Sequence, residues 1–539
     1  MGTGSARPAQ PVRVIFSSLQ DLQVWLDRYA LRAPYATPPE LEPEDGILEG
    51  PLLGNVLRIW SSVIIKGGRL KLGPYRIEVR GGVSVVFERV HIDWCPAVAT
   101  VSAAEAAAHS GSVPPQHGGG GDLLGPAAVT VAGKGTQLTM RECKVLCAEI
   151  GTGAAPIRAG CVLAHQGGRV QLDGCVLSGA PCFGLAVFGQ GSVASAKATP
   201  AWCCGSAGFL AVAGGELEAT DCRAQYGGVP AGRKLNRAAV VAAAEADVAV
   251  KRNEALPQGS GLAPFITADG KPHLGAGFFA ADGGIVRLYG VCVGHRNGCG
   301  GFVSWGPGAD LAVVAAADGG GIAIASQNGW GGFYACGAGA QLDAGAGARA
   351  LENVVAGFAA YEGSELRAGA NCMAKENKGD GWIADGSRVK AGPGCSSEGN
   401  GGRGWLSQEQ GGVMVAGERC SAVGNGLDGF ASIGSKLSVG RGAVSCDNGM
   451  DGFTVSDGGE LDASAGGCQA RANKQHGFCA EDEGSVLQVG PDGLAQDNGA
   501  WGARVEGRGA LLRLGQGWWS AGNQGPNQGE ENGGGLERA

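Results

Sequence analysis

Apolar and polar positions alternate in the second half of the chain, and the pattern recurs about every 24 residues. Each repeat begins with Asn-x-x-x-Gly and an aromatic residue, and the second residue after the aromatic is small, whereas its neighbours vary. Because alternate side chains of a strand point to opposite faces, this pattern predicts a strand whose aromatic and small residues face a core. The repeat asparagines are Asn297, Asn328, Asn353, Asn377, Asn400, Asn425, Asn448, Asn473 and Asn498.

Two further strands follow in each repeat. The second has Leu or an equivalent at its inward position, and the third often has Cys five residues before the next Asn, as at Cys372, Cys395 and Cys420. Three short strands and three turns in about 24 residues predict one coil of a solenoid. The fold class is therefore all-β, a single-stranded right-handed parallel β-helix. Its aromatic side chains should stack, and each Asn should adopt a left-handed backbone conformation and bond to the neighbouring coil.

The two ends differ from the repeats. Residues 1–45 predict an N-terminal strand and a capping helix that begins near Ser18 and has an apolar stripe. The β-helix itself should span residues 46–520, with loop insertions near 98–125 and 231–275, and Trp518 and Trp519 should close its far end. Residues 521–539 are interpreted as a flexible tail.

Composition narrows the functional classes. The chain has 102 Gly among 539 residues, but the glycine is periodic and marks turns instead of indicating disorder. A net charge of −8 argues against nucleic-acid and membrane partners. The N-terminus shows no secretory signal, so we expect a cytoplasmic protein whose 18 cysteines are reduced and fill the core.

The Asn-x-x-x-Gly-aromatic repeat, followed by a turn and a strand, resembles the parallel β-helix repeat of the pectin-lyase-like superfamily over about residues 46–520. The resemblance implies the fold alone. The superfamily includes polysaccharide lyases, glycosidases and epimerases, together with non-catalytic β-helices in substrate-recognition subunits and cytoskeletal adaptors. Fold therefore does not choose between these functions.

Catalytic motifs of the superfamily are incomplete. Enzymes of this fold place outward carboxylates on neighbouring coils near a Lys or Arg, but no matching set of motifs occurs. The string around His91 and Asp93 resembles a pectate-lyase block, yet Trp94 replaces its histidine. Cys292, His295 and Cys299 have ligand types but different predicted orientations, so we predict no metal, no cofactor and no catalytic residue.

Acidic residues recur near one turn and could bind calcium, act as acid and base, or simply be solvated. The solvated interpretation is favoured, because the row is interrupted and no basic or His partner recurs beside it. These residues are Asp282, Glu362, Asp385, Asp457, Glu483 and Glu506.

The outward positions of the first strand are apolar, where a solvent-facing strand should be polar. An apolar stripe over about six coils exceeds what a soluble monomer normally exposes, which predicts a docking surface for another protein. The alternative is that a loop of the same chain, such as 253–274, covers it. The predicted interaction residues are Phe279, Val303, Trp305, Tyr334, Tyr361, Ile383 and Leu406.

The sequence thus predicts a non-enzymatic scaffold or adaptor that docks other proteins in a larger assembly. By analogy with the non-catalytic relatives, that assembly is cytoskeletal or ciliary. The alternative is a carbohydrate-active β-helix protein that acts as a lyase or hydrolase or binds sugars. An outward groove with two or more carboxylates and a Lys or Arg would favour this alternative.

Overall fold

The computed structural model describes residues 12–30, 38–43, 46–52, 54–95, 126–147, 159–180, 182–225, 275–314, 321–531 and 534–538. Both predicted loop insertions lie outside the described residues, apart from Gly275. The chain divides into two compact units, residues 1–223 with 229–233, and residues 224–228 with 234–539.

The described residues are nearly all β and form about 17 parallel coils, each unit being wound as a β-solenoid. The predicted all-β, parallel solenoid class is therefore confirmed. One helix, Leu19–Ala30, occurs in the described residues, and it is too short to span a membrane.

In the second unit, each coil contributes one strand to each of three parallel sheets, which we call the aromatic, leucine and cysteine sheets after their inward residues. The aromatic-sheet strands are Ala276–Ala281, Phe302–Trp305, Gly331–Cys336, Ala356–Tyr361, Asp380–Asp385, Trp405–Gln408, Phe430–Ile433, Phe453–Ser456, Phe478–Glu481, Ala503–Glu506 and Gln528–Glu531. The leucine-sheet strands are Ile285–Tyr289, Asp310–Val313, Gln341–Asp343, Glu365–Ala368, Arg388–Ala391, Val413–Ala416, Lys436–Val439, Glu460–Ala463, Val486–Val489, Leu511–Leu514 and Gly535–Arg538. The cysteine-sheet strands are Val291–His295, Ile322–Ser326, Arg349–Leu351, Met373–Lys375, Ser396–Glu398, Ser421–Val423, Val444–Cys446, Gln469–Arg471, Leu494–Gln496 and Trp519–Ala521.

The first unit has the same three kinds of strand with more varied sequences. Strands equivalent to the aromatic sheet are Val56–Ile59, Arg76–Val79, Ala127–Ala132, Gly160–His165, Phe183–Phe188 and Ala207–Val212. Strands equivalent to the leucine sheet are Arg13–Phe16, Glu40–Pro43, Val63–Lys66, Ser84–Glu88, Gln137–Arg141, Arg169–Asp173, Val193–Lys197 and Glu216–Thr220. Strands equivalent to the cysteine sheet are Ile47–Leu48, Arg69–Gly73, His91–Trp94, Lys144–Cys147, Val176–Ser178, Pro200–Trp202 and Arg223–Gln225, the last of which is split by the division between the units.

The repeat aromatics form one continuous stack inside the second unit, as predicted. Successive ring centroids are 3.9–5.7 Å apart and the planes deviate by at most 9°. The stacked rings are Phe278, Phe302, Phe333, Phe358, Trp382, Trp405, Phe430, Phe453 and Phe478. Offset stacking of buried rings adds to the hydrophobic gain from their burial, so this column anchors the coils to one another.

Glycine before each aromatic is required by close approach to the next coil. A Cβ at Gly452 would lie 2.8 Å from the Cβ of Ala470 and 2.9 Å from the amide nitrogen of Asn473. No larger residue fits this space, which explains why the repeat keeps Gly there.

The repeat asparagines form a hydrogen-bonded ladder. Asn448 donates from Nδ2 to Oδ1 of Asn473 at 2.9 Å, and the same oxygen also accepts the backbone N–H of Asn448 at 3.2 Å. Bonding to the neighbouring coil is thus confirmed. The predicted left-handed backbone is wrong, because the positive φ belongs to the residue before each Asn, such as Asp447 at 57°.

The predicted cysteine column is buried. Cys292, Cys372, Cys395, Cys420 and Cys468 are each at most 1% exposed. Their thiols point to backbone carbonyls, for example from Cys420 to Gly392 at 3.5 Å. They act as small core residues between coils.

The N-terminal helix packs on the first unit. Ser18 caps it by accepting the backbone N–H of Asp21 at 3.1 Å, and Leu19, Leu22 and Leu26 are buried. Oε1 of Gln23 accepts the backbone N–H of Arg58 at 2.6 Å, and Nε2 of Gln23 donates to the backbone carbonyl of Arg58 at 3.2 Å. The side chain therefore satisfies backbone groups of the strand Val56–Ile59 that would otherwise be an open edge.

The C-terminal residues differ from the expected tail. Two strands within 521–539, Gln528–Glu531 and Gly535–Arg538, pair in parallel with Ala503–Glu506 and Leu511–Leu514. Trp518 packs edge-on against Phe478 at 5.3 Å, in the coil where Ala503 replaces the aromatic residue.

Candidate active site

The predicted docking stripe is not an exposed surface. Phe279, Val303, Tyr334, Tyr361, Ile383 and Leu406 are between 1% and 6% exposed, and Trp305 is half-buried. The rings of Trp305, Tyr334 and Tyr361 pack on one another at 5.2–6.2 Å. The prediction of an exposed stripe is therefore wrong, because the strands Ala276–Ala281 to Trp405–Gln408 are apolar and buried on both faces. The proposed covering loop 253–274 lies outside the described residues.

The same outward face becomes polar further along the second unit. Cys479 and Glu481 alternate with the inward Phe478 and Ala480, so they lie on the outward face of the aromatic sheet. Ligand atoms of Asp451, Cys479 and Glu481 all lie within 4.8 Å of one another. We call the group comprising Arg403, Asp428, Asp451, His476, Cys479, Glu481, Arg504 and Glu506 the carboxylate cluster.

Asp428 and Asp451 hold one end of the cluster. They occupy the same position of consecutive repeats, directly before the glycine of Asn-x-x-x-Gly. Arg403 occupies this position in the preceding repeat. Arg403 donates from Nε to Oδ2 of Asp428 at 2.9 Å, and the backbone N–H of Asp451 donates to Oδ1 at 3.1 Å. Asp428 is therefore a paired, buried carboxylate.

Asp451 is the most perturbed carboxyl group of the cluster. It is 4% exposed, and its Oδ1 accepts the backbone N–H of His476 at 2.7 Å. Burial, and secondarily the negative charge of Asp428, raises the pKa of Asp451 to about 8. The group is consequently protonated at neutral pH, so it can donate a proton.

Glu481 lies at the mouth of the cluster, where its side chain is 38% exposed. Its Oε1 is 3.9 Å from Nη1 of Arg504, which also pairs with Glu506. Cys479 is fully buried and its Sγ lies 3.4 Å from Oε1 of Glu481. Burial raises the pKa of the Cys479 thiol well above its usual value.

His476 and Arg504 close the cluster on its other side. Nδ1 of His476 accepts the backbone N–H of Trp501 at 3.2 Å, and its Nε2 is 3.2 Å from Nη1 of Arg504. The guanidinium also lies 5.9 Å from the ring centroid of Trp501. These contacts hold Arg504 in position beside the carboxylates.

The arrangement brings together two carboxyl groups in contrasting environments. Asp451 is buried and protonated, whereas Glu481 is accessible and its Oε1 lies 3.9 Å from a guanidinium nitrogen of Arg504. Such a pair can supply a general acid and a nucleophile to one reaction. The same oxygens, with the sulfur of Cys479, are also of the types that bind a metal ion.

The other sequence candidates are dispersed. His91 lies 3.2 Å from Asp93, which also pairs with Arg69, while Trp94 is buried. Nδ1 of His295 bonds to Oγ of Ser326 at 2.8 Å, whereas the thiol of the buried Cys292 points to the backbone carbonyl of Tyr289 at 3.5 Å.

The acidic row separates into two sets. Asp385 and Glu506 are the last residues of aromatic-sheet strands, whereas Asp282, Glu362, Asp457 and Glu483 lie in turns, the first three of them with positive φ. Of that row, only Glu506 belongs to the carboxylate cluster.

Sequence reasoning missed Asp428, Asp451 and His476. They occupy the last variable position of Asn-x-x-x-Gly, where the residue changes from repeat to repeat. The available signal was the charged run Asp380, Arg403, Asp428, Asp451 and His476 at that one position of five consecutive repeats.

The structural neighbours of this chain are distant, and two of them are an epimerase and a tailspike protein. No protein-family model and no curated protein matches the chain. The periplasmic alginate epimerase AlgG is 10% identical, with a TM-score of 0.20 and coverage of 98% of this chain and 85% of that one. The Dettilon tailspike protein is 11% identical, with a TM-score of 0.23 and coverage of 89% and 66%. At this level of similarity, neither neighbour bears on the chemistry of this chain.

Proposed function

We propose that this chain is a carbohydrate-active enzyme that hydrolyses glycosidic bonds at the carboxylate cluster. The observation that carries the proposal is the pairing of Asp451 and Glu481, whose nearest oxygens lie within 4.8 Å, beside Arg504. Carboxyl groups about 5–5.5 Å apart are typical of glycosidases that retain anomeric configuration. Under this proposal the chain would be a catalytic relative of the pectin-lyase-like superfamily, which its repeat resembles.

The two carboxyl groups have distinct roles. Asp451 donates its proton to the glycosidic oxygen, while ionised Glu481 attacks the anomeric carbon and the leaving sugar departs with that proton. In the second step, the Asp451 carboxylate takes a proton from water, and the resulting hydroxide displaces Glu481 from the glycosyl ester. Arg504 is a positioning residue that holds Glu481 and Glu506.

The charge balance indicates a neutral substrate. Because Asp451 is protonated, three carboxyl groups, Asp428, Glu481 and Glu506, stand against the two guanidinium groups of Arg403 and Arg504. A polymer of uronic acids would meet excess negative charge here, because like charges repel. Neutral glucans, xylans or mannans are therefore the expected substrate class.

The test is hydrolysis of a panel of neutral polysaccharides by the purified full chain. Hydrolysis is measured as the release of reducing ends. We expect Glu481→Gln and Asp451→Asn each to lower kcat by about 10²–10⁴-fold, the usual contribution of such groups. The matched control is Glu483→Gln, because Glu483 is exposed in the turn after the same strand.

Two measurements identify the nucleophile. Azide should restore turnover by Glu481→Ala and yield a glycosyl azide, and the product released by the unaltered protein should keep the anomeric configuration of the substrate. Equal losses in Glu483→Gln, or no hydrolysis of any polymer in the panel, would contradict the proposal.

The scaffold function predicted from sequence is the competing proposal, and it has less support. Its main argument was the exposed apolar stripe, and residues such as Tyr334 and Leu406 are buried. A cytoplasmic, cytoskeletal or ciliary assembly and its protein partners remain predictions of that alternative. Specific co-purification of one partner, together with inactivity on the polysaccharide panel, would favour it.

A further inference from the structure

Two cysteine thiols meet inside the first unit, which does not contain the carboxylate cluster. Cys147 is the last residue of the strand Lys144–Cys147, and Cys161 is the second residue of the strand Gly160–His165 in the following coil. Their sulfur atoms are 3.8 Å apart, although the two residues are 14 positions apart in the sequence. The two sulfurs are therefore in direct contact.

The place of Cys161 in its coil explains this contact. The parallel register aligns Cys161 with Gly184 of the next coil, at the position before the inward residue where later repeats keep glycine. A side chain at this position points across the interior: Sγ of Cys161 lies 3.7 Å from the carbonyl oxygen of Val145 and 3.8 Å from that of Ser178. Because Val145 lies two residues before Cys147 on the same strand, this orientation brings the two sulfurs together.

The two thiols differ in their environments. Cys147 is 7% exposed, whereas Cys161 is fully buried. The hydrogen bond with Cys147, together with burial, raises the pKa of the Cys161 thiol well above its usual value. Because the thiolate is the reactive form of cysteine, we expect Cys147 to react with an oxidant first, while Cys161 keeps its proton.

We propose that Cys147 and Cys161 form a reversible disulfide when the chain meets a peroxide. The Cys147 thiolate attacks one oxygen of hydrogen peroxide, the O–O bond breaks, and a sulfenic acid and hydroxide form. The hydroxide becomes water by taking up the proton that the Cys147 thiol released. The sulfur of Cys161 then attacks the sulfenic sulfur, so that the S–S bond forms, the S–O bond breaks and the hydroxyl group leaves as water with the Cys161 proton. The two sulfurs together lose two electrons, which reduce the peroxide.

This disulfide joins two successive coils covalently. It closes the stretch of chain from Cys147 to Cys161, and a cross-link over such a stretch restricts the unfolded chain more than the folded one. Oxidation should therefore stabilise the first unit against unfolding. A small dithiol such as dithiothreitol reverses the bond by thiol–disulfide exchange.

The bond is detected by peptide mapping of the full chain. The folded protein is treated with hydrogen peroxide, its remaining thiols are blocked with N-ethylmaleimide in denaturant, and it is digested with trypsin. Cleavage after Lys144, Arg158 and Arg169 places the two cysteines in separate peptides, 145–158 and 159–169, each with one cysteine. We expect these peptides to appear joined, with the sum of their masses less two hydrogens, and to separate after treatment with dithiothreitol.

Two variants test the order of the reaction. Cys161→Ala should leave a sulfenic acid at Cys147 that dimedone traps, whereas Cys147→Ala should leave the buried Cys161 unmodified. The matched control is Cys182→Ala, because Cys182 is also buried in the first unit and its Sγ lies 3.5 Å from Oγ of Ser206. It should form the joined peptides as the unaltered chain does, and circular dichroism shows that each variant is folded.

Thermal unfolding measures the consequence of the bond. The oxidised chain should have a Tm about 5–10 °C above that of the reduced chain, the size expected for a cross-link over such a stretch. This difference should vanish in Cys147→Ala and Cys161→Ala and persist in Cys182→Ala. Joined peptides without a rise in Tm would overturn the stabilising role.

The disulfide itself is overturned by any of three results in the unaltered chain. These are no joined peptides, a Cys147 oxidised only to the sulfinic acid, and Cys147 linked to a different cysteine. Because all three are measured without a substitution, they decide the proposal even if Cys161→Ala fails to fold.

Discussion

Two stretches of one sheet differ on their outward face while sharing the same interior. From Ala276–Ala281 to Trp405–Gln408, the outward residues of the aromatic sheet are apolar and buried. From Phe430–Ile433 to Ala503–Glu506, that face carries the carboxylate cluster, and the stack of inward rings continues through Phe453 and Phe478. The interior therefore specifies the coil, and the outward face can change without altering it.

The contrast has a physical basis. An inward side chain contacts its equivalent one coil away, so each position of the interior is constrained by its own repeat. An outward side chain meets whatever lies over the sheet, which differs along the solenoid. A candidate site on this face is consequently built from single residues on several coils, as Asp428, Asp451 and Glu481 illustrate.

The largest expected effect is in the shared interior. Phe453→Ala should lower the free energy of unfolding by about 3–5 kcal/mol, because it removes a fully buried ring with two stacked neighbours. Denaturant unfolding followed by circular dichroism measures this. A loss below about 1 kcal/mol would mean that the interior does not specify the coil.

The next effect tests whether the apolar stretch is buried in solution. Leu406→Ala should cost about 2–5 kcal/mol, the range for a buried leucine, because Leu406 is 3% exposed. Val415→Ala, at a position 36% exposed on the leucine sheet, is the control and should change stability little. If Leu406→Ala were as mild as Val415→Ala, the stripe would be open to a partner, as the sequence predicted.

The last prediction concerns pH and the charged stretch. The pKa of Asp451 is raised from 3.8 to about 8, so between these values the unfolded chain is ionised there while the folded chain keeps the proton. The stability contribution of this group is thus complete below about pH 4 and is lost as pH rises towards 8, by up to about 1.4 kcal/mol per pH unit.

Asp451→Asn removes that proton and should flatten the decline in stability with pH. Thermal unfolding of metal-free protein from pH 5 to 8 measures the difference. Asp462→Asn is the control, since Asp462 lies on a leucine-sheet strand away from the cluster. Parallel profiles for Asp451→Asn and the unaltered chain would show that Asp451 is ionised throughout.

The same division explains what could be predicted from the sequence. The aromatic stack, the asparagine ladder and the cysteine column were predictable, because each is one residue type repeated at a fixed spacing. The cluster was not, because Arg403, Asp428, Asp451 and His476 share a position but no residue type. Burial of Tyr334 and Leu406 depends on what covers the sheet, and no pattern within the strands records that.

The asparagine ladder gives the second unit a direction. Every side-chain amide from Asn297 to Asn498 donates to the asparagine of the following coil, so the amide dipoles point the same way and polarise one another. A coil inserted within the ladder must therefore continue this donor-to-acceptor order. A whole repeat can therefore be added by duplication, whereas half a repeat would place another part of the coil opposite an asparagine and break the ladder at that point.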